Sequence, residues 1–169
     1  FTSQIGNIND APNAGADQTG ALTEDASTST VSNTVGASDP DTGDVLSYSA
    51  SSSTGTYGTF AVTSQGVWTY TLDNNDADTT ALDANDQVTD AFTITVSDDA
   101  TPSLSDTMTV TITITGANDA PSAGSDQTGS VTEDASTTTA TGTVSGTDAD
   151  DSASLTYTPN TNSGTYGSI

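Results

Sequence analysis

The sequence predicts an all-β protein built as tandem β-sandwiches of about seven short strands each. Two observations carry this. Residues 9–60 slide onto 118–169 without a gap, and 27 of the 52 aligned positions are identical. Within the first repeat, large apolar residues alternate with threonine at a period of two, the pattern of strands that bury one face and wet the other. Thr-rich outer faces suit antiparallel sheets that meet water on one side.

The repeat fixes the organisation before any single element is considered. Asp10 and Asp119 stand 109 positions apart (119 − 10) in the matching stretches "INDAPNAGAD" and "ANDAPSAGSD". Residues 9–117 are read as one complete repeat and 118–169 as the first half of the next. Residues 1–8 are read as the end of a preceding repeat, with Ile5 falling where Ile114 falls.

Seven strands are expected in the complete repeat. The first four, 15–22, 30–37, 45–50 and 58–63, are short segments between acidic, Gly-containing connections. The fifth, 66–72, alternates Trp68, Tyr70 and Leu72 with Thr69 and Thr71, which makes Trp68 a core residue. The sixth, 91–97, sets Phe92, Ile94 and Val96 against Thr93 and Thr95, and the seventh, 105–115, sets Met108, Val110, Ile112 and Ile114 against four threonines. No stretch carries a helical stripe, although 79–85 suggests one turn. Seven strands in about 100 residues suggest an immunoglobulin-like Greek-key sandwich. Its core is thin, with roughly seventeen large apolar side chains per repeat.

Charge narrows the function. The chain has 23 Asp and Glu and no Lys, Arg or His, a net charge of −23. Self-repulsion on this scale opposes compaction, and nucleic acid or an anionic membrane requires the basic residues that are missing. There is no cysteine, so neither a disulfide nor a thiol nucleophile is available. No long apolar run marks a membrane span, and none is expected to insert. Enzyme chemistry would be limited to carboxylates and hydroxyls, and the acids are expected at module ends rather than in a cleft. A thin core and uncompensated charge together predict an external staple, and metal cations are the natural one.

Topology sorts the carboxylates. In a sandwich of successive antiparallel strands the connections alternate between two ends. One end of the first repeat collects Glu24 and Asp25, the 73–90 stretch with Asp83 and Asp86, and Asn118 with Asp119. The facing end of the next repeat brings Asp148, Asp150 and Asp151. The other end of the first repeat collects Asp10, Asp39, Asp41, Asp98 and Asp99. A hard divalent ion takes six to eight oxygens, and ligands drawn from several loops favour calcium over magnesium. Zinc and copper lack their nitrogen and sulfur partners. "DPDTGD" at 39–44 and "DNNDAD" at 73–78 both fail the EF-hand spacing, since Gly43 sits where a ligand belongs and the twelfth residue is Ala50.

The ordered motifs "NDAP", "TEDA", "SDPDTGD", "GTYGTFAVTSQGVWTYTLDN", "ALDANDQVTDAFTITVSDD" and "TVTITITGANDAP" resemble the VCBS repeat, a cadherin-like module found in tandem in very large bacterial surface proteins, including adhesins exported by the type I route. The resemblance covers essentially all of 9–121. It implies an extracellular extender whose partners are the neighbouring repeats of its own chain, with calcium stiffening the junctions and the ultimate ligand bound outside this segment. By similarity to cadherin-like junctions the ligands would be Glu24, Asp83 or Asp86, Asn118, Asp119, Asp148 and Asp150. Two rivals are a calcium-dependent glycan-binding module using Trp68 and a filament or surface-layer subunit whose chains share strands.

Overall fold

The alternating residues of the first repeat form seven strands in the computed structural model, which describes residues 8–168. They are β1 (Gln18–Thr23), β2 (Thr30–Thr34), β3 (Ser47–Ala50), β4 (Gly58–Val62), β5 (Val67–Leu72), β6 (Gln87–Ser97) and β7 (Ser105–Thr115), with a one-turn helix α1 (Ala77–Thr80) between β5 and β6. The end of a preceding repeat expected over residues 1–8 falls, apart from Ile8, outside the described residues. The chain divides into two compact units, Phe1–Ala117 and Asn118–Ile169.

Two sheets make the first unit. One has the order β1-β7-β6-β3 and the other β2-β5-β4. β1 runs parallel to β7, while the other pairs are antiparallel. Registers define two ends of the larger sheet. Thr23, Thr115 and Gln87 align at one end, and Ser105, Ser97 and Ser47 at the other.

The inward residues of both sheets form one core. Trp68, Tyr70, Ile94, Val96, Val110, Ile112 and Ile114 are all 0% exposed. Aromatic rings join the layers: Phe60 of β4 stacks on Phe92 of β6 at a centroid separation of 4.4 Å, and Tyr70 of β5 tilts against the same ring at 5.9 Å. Such pairs contribute beyond the area they bury. Trp68 is in the core as its alternation predicts, and its indole N–H donates to Gln18 Oε1 at 2.6 Å.

Several boundaries differ from the sequence reading, with β2 ending at Thr34 rather than 37 and β3 beginning at Ser47 rather than 45; three further differences have a local reason. β1 begins at Gln18 rather than at 15, because Gly15 takes φ +84° and Asn13 already bridges to Ser38. The helical turn lies at 77–80 rather than 79–85, because Asp76 caps it by accepting from the Asp78 N–H at 2.9 Å. β6 begins at Gln87 rather than at 91, since Val88 and Asp90 pair with Ile114 and Ile112 and continue the ladder. Asp90 is therefore not a loop acid, as its place in the 73–90 stretch suggested. It is a strand residue, 5% exposed.

The second unit repeats the local features of the first. β8 (Ser122–Ala123) pairs with β9 (Gly146–Thr147) where Asn13 bridges Ser38 at the 109-residue offset. The Thr54–Thr59 bridge recurs as Ser163–Ser168. Val131, Val144 and Tyr157 are more than half exposed, whereas their counterparts Leu22 and Val35 lie in the core of the first unit and Tyr48 packs against it.

Candidate metal centre

Asp90 apart, the candidate acids of the first unit lie in the connections at its two ends. At the end where the chain enters, the β2–β3 connection is shaped by its own side chains. Asp39 Oδ1 accepts from the Asp41 N–H at 2.8 Å, an Asx turn that Pro40 accommodates, and Gly43 reverses the chain at φ +106°. As a result one carboxylate oxygen each of Asp39, Asp41 and Asp44 lies within 4.8 Å of the others. The Oδ2 atoms of Asp39 and Asp44 are buried and accept no hydrogen bond. Burial first, and then the charges of Asp39, Asp41, Asp99 and Asp98, push the Asp44 carboxyl above its usual range.

The β6–β7 connection reaches the same place. Asp98 is 4% exposed, with Oδ1 accepting from the Leu104 N–H at 3.0 Å and Oδ2 from the Asn9 side-chain amide at 2.9 Å. Burial alone would raise its carboxyl, but those donors more than offset it and hold it below the usual range. Asp99 Oδ1 accepts from the Val45 N–H at 2.9 Å, joining the two connections. The incoming linker is fastened as well, because the Asp10 N–H donates to Asp41 Oδ2 at 2.7 Å. Asp10 is thus tied to Asp41, and Asp99 to the β2–β3 connection.

At the opposite end Glu24 is 2% exposed, its Oε2 accepts from the Ala117 N–H at 3.1 Å, and its N–H donates to Thr115 at 2.9 Å. Asp25 beside it is exposed and takes φ +54°, a turn conformation that its counterpart Asp134 repeats at φ +60°. Asp83 and Asp86 are tied through the backbone. The Asp86 N–H donates to the Asp83 carbonyl and the Gly116 N–H to the Asp86 carbonyl, both at 2.9 Å. Gly116 is required for this approach, since a Cβ there would lie 2.7 Å from Leu82 Cβ and collide with the Asp83 carbonyl.

In the second unit the linker repeats its attachment. The Asp119 N–H donates to Asp150 Oδ2 at 2.9 Å, and the Asp150 N–H to Asp148 Oδ1 at 3.2 Å. Asp150 is 8% exposed. Asn118 is exposed and Asp148 half-buried.

These groups fit a hard cation on chemical grounds. The donors are oxygens alone, and buried carboxylate oxygens of Asp39, Asp44 and Asp150 lack the hydrogen bonds that buried acceptors normally make. Sequence reasoning omitted Asp44, the last acid of "DPDTGD", because the stretch was tested against twelve-residue EF-hand spacing. Asn9 was overlooked as well, although it opens the repeated "NDAP" and anchors Asp98.

A family model described as a bacterial cadherin-like domain matches residues 9–116. Among solved structures, human CDH23 EC21-23 is similar at 26% identity and a TM-score of 0.53, covering 85% of this chain and 47% of that one. Mouse Cadherin-23 EC22-24 is similar at 20% identity and a TM-score of 0.50, covering 85% and 45%. The chain spans less than half the length of either fragment. No curated protein sequence matches it.

Proposed function

Because the chain belongs to the bacterial cadherin-like domain family, we propose that it is a calcium-stiffened spacer segment of a bacterial surface protein, acting without catalysis and holding a binding domain away from the cell. The finer family assignment within this reading is the VCBS-type repeat of large exported adhesins.

One observation carries the reading. The linker aspartate of each repeat is fastened by its backbone N–H to the same aspartate of the repeat it enters: Asp10 to Asp41 at 2.7 Å and Asp119 to Asp150 at 2.9 Å. A flexible tether would have no reason to repeat that bond 109 residues later. It orients the linker against each repeat and presents linker acids beside loop acids.

At the first repeat, Asp39, Asp41 and Asp44 would hold the ion, with Asp10, Asp98 and Asp99 around them. At the second, Asn118, Asp119, Asp148 and Asp150 would do so, and Glu24 with Asp83 or Asp86 would serve at the far end of the first. Bound calcium would supply the positive charge that a chain of 23 acids and no bases lacks. The chain's own part is to keep the carboxylates converged, through the Asx turns at Asp39 and Asp148 and the linker bonds. The glycan reading draws no support from Trp68, which lies in the core.

Thermal melting of the 169-residue chain, paired with small-angle scattering, tests the proposal against magnesium and sodium chloride controls. Calcium a hundredfold above its Kd would add about 2.7 kcal/mol, and so roughly 10 °C or more in Tm for a domain of this size. An extended, stiffer particle should accompany the rise. Equal stabilisation by sodium chloride at matched ionic strength would reduce the acids to a screened surface.

A further inference from the structure

We infer that the first unit bears load: its first and last strands, β1 and β7, form a clamp that resists tension along the chain in shear and without calcium. A spacer that holds a binding domain away from a surface transmits every pull on that domain. The clamp lies in the β1–β7 ladder, so it stands whether or not ions fill the ends of the sandwich.

Strand direction is the first observation. β1 runs parallel to β7, with Gln18 opposite Val110 and Thr23 opposite Thr115. The chain therefore enters β1 at one end of the ladder and leaves β7 at the other. Tension between the residues before Gln18 and those after Thr115 slides the two strands along each other and loads every rung at once. Among the described strand pairs this is the only parallel one.

Side chains lengthen the ladder past both strand ends. The Ala14 N–H donates to Asp106 Oδ2 at 2.9 Å and the Thr109 N–H to Asp17 Oδ1 at 2.7 Å, both at the 92-residue offset that relates β1 to β7. At the far end the Glu24 N–H donates to the Thr115 carbonyl at 2.9 Å, and Glu24 Oε2 accepts from the Ala117 N–H at 3.1 Å. β1 is also fixed crosswise to the smaller sheet, since the Gln18 amide donates to the Thr34 carbonyl at 2.9 Å while accepting from the Trp68 indole. The β1-side members recur one repeat later as Asp126, Gln127 and Glu133.

Each of these bonds is weak alone. Loaded side by side they must fail together, whereas peeling breaks them one at a time. Lifetime under force follows the unfolding rate, so the bonds that count are those that must break on the way to the barrier.

Constant-force single-molecule pulling on the full chain in chelator tests this, and a sequence with no cysteine of its own allows handles at chosen sites. Ala11→Cys with Ala120→Cys loads β1 against β7 in shear. Ala11→Cys with Ala100→Cys pulls on the β6–β7 connection and peels the same ladder from its Gln18 end. The shear lifetime should exceed the peel lifetime at every load. Asp17→Ala with Asp106→Ala should shorten the shear lifetime about tenfold. Tyr70→Phe, whose bond to Asp90 lies off the ladder, should lower urea stability and leave the shear lifetime in place. Equal lifetimes in the two geometries, or as large a loss from Tyr70→Phe, would overturn the inference, as would shear resistance that appears only when calcium is added. Shear resistance in a chain that calcium fails to stiffen would uphold the clamp and remove the calcium reading alone.

Discussion

The Tyr70 hydroxyl donates to Oδ2 of Asp90 over 2.7 Å inside the sandwich. Asp90 also accepts from the Thr56 N–H at 2.9 Å and the Tyr57 N–H at 3.1 Å. One carboxylate of β6 therefore holds β5 and the loop leading into β4, joining the two sheets. Burial first, and then the hydrogen bond to Asp90, push the Tyr70 phenol well up. Tyr70→Phe should cost about 1–3 kcal/mol, because a buried oxygen loses one donor. Asp90→Ala should cost more, since it strands two backbone N–H groups and the phenol. Urea unfolding of each variant checks the order, and a larger loss from Tyr70→Phe would mean that the two backbone N–H bonds to Asp90 contribute little.

The same knot explains a glycine. A Cβ on Gly55 would collide with the Asp90 carboxylate. Gly55→Ala should therefore destabilise the fold by a mechanism that needs Asp90. A double-mutant cycle with Asp90→Ala should be strongly non-additive, with coupling of about 0.5–3 kcal/mol. Additive losses would place the cost in the backbone of the loop instead.

The sequence made the strands legible because their signal is local. Thr69 to Leu72 or Thr109 to Thr115 declares its own buried face by alternation, whatever lies opposite. Asp90 was misread for the converse reason. An aspartate disfavours strands on propensity, and only its partners Tyr70, Thr56 and Tyr57, 20 to 34 positions away, make it a buried strand residue. The ends of the first unit were legible through topology, since strand parity alone sends the 38–44 and 98–104 connections to one end. Asp44 was not, because its place in the cluster depends on the positive φ of Gly43 rather than on spacing along the chain.

Asp25 separates turn chemistry from ligand chemistry. It is exposed, takes φ +54°, and its counterpart Asp134 does the same at φ +60°. If the residue serves the left-handed turn, Asp25→Gly should leave stability unchanged or slightly raised, since glycine adopts that conformation without a steric cost. Calcium affinity should then be unaltered in calorimetric titration. A severalfold loss of affinity with stability intact would instead make Asp25 a ligand beside Glu24.

Acid titration in the absence of divalent ions reads the cluster from the other side. Asp98 and Asp106 have folded pKa values below the ordinary carboxylate, Asp106 because the Ala14 and Thr107 N–H groups donate to it. Such groups add stability above the unfolded value of about 3.9, and that stability is lost as pH falls through their folded values. Asp44 has the opposite sign. Its folded pKa is raised, so its ionised form opposes folding at neutral pH, and that opposition is relieved as pH falls through the folded value. In a chelator, Asp44 should therefore make Tm climb as pH falls through its folded value towards about 3.9, whereas Asp98 and Asp106 make it fall as pH drops further. Asp44→Asn should raise Tm at pH 7 and flatten the climb, whereas Asp106→Asn should shrink only the acid-side fall. A profile with no climb on the way down to about pH 4, with Asp44→Asn without effect, would mean that the three carboxylates are too well solvated to strain one another, and so too dispersed to hold an ion together.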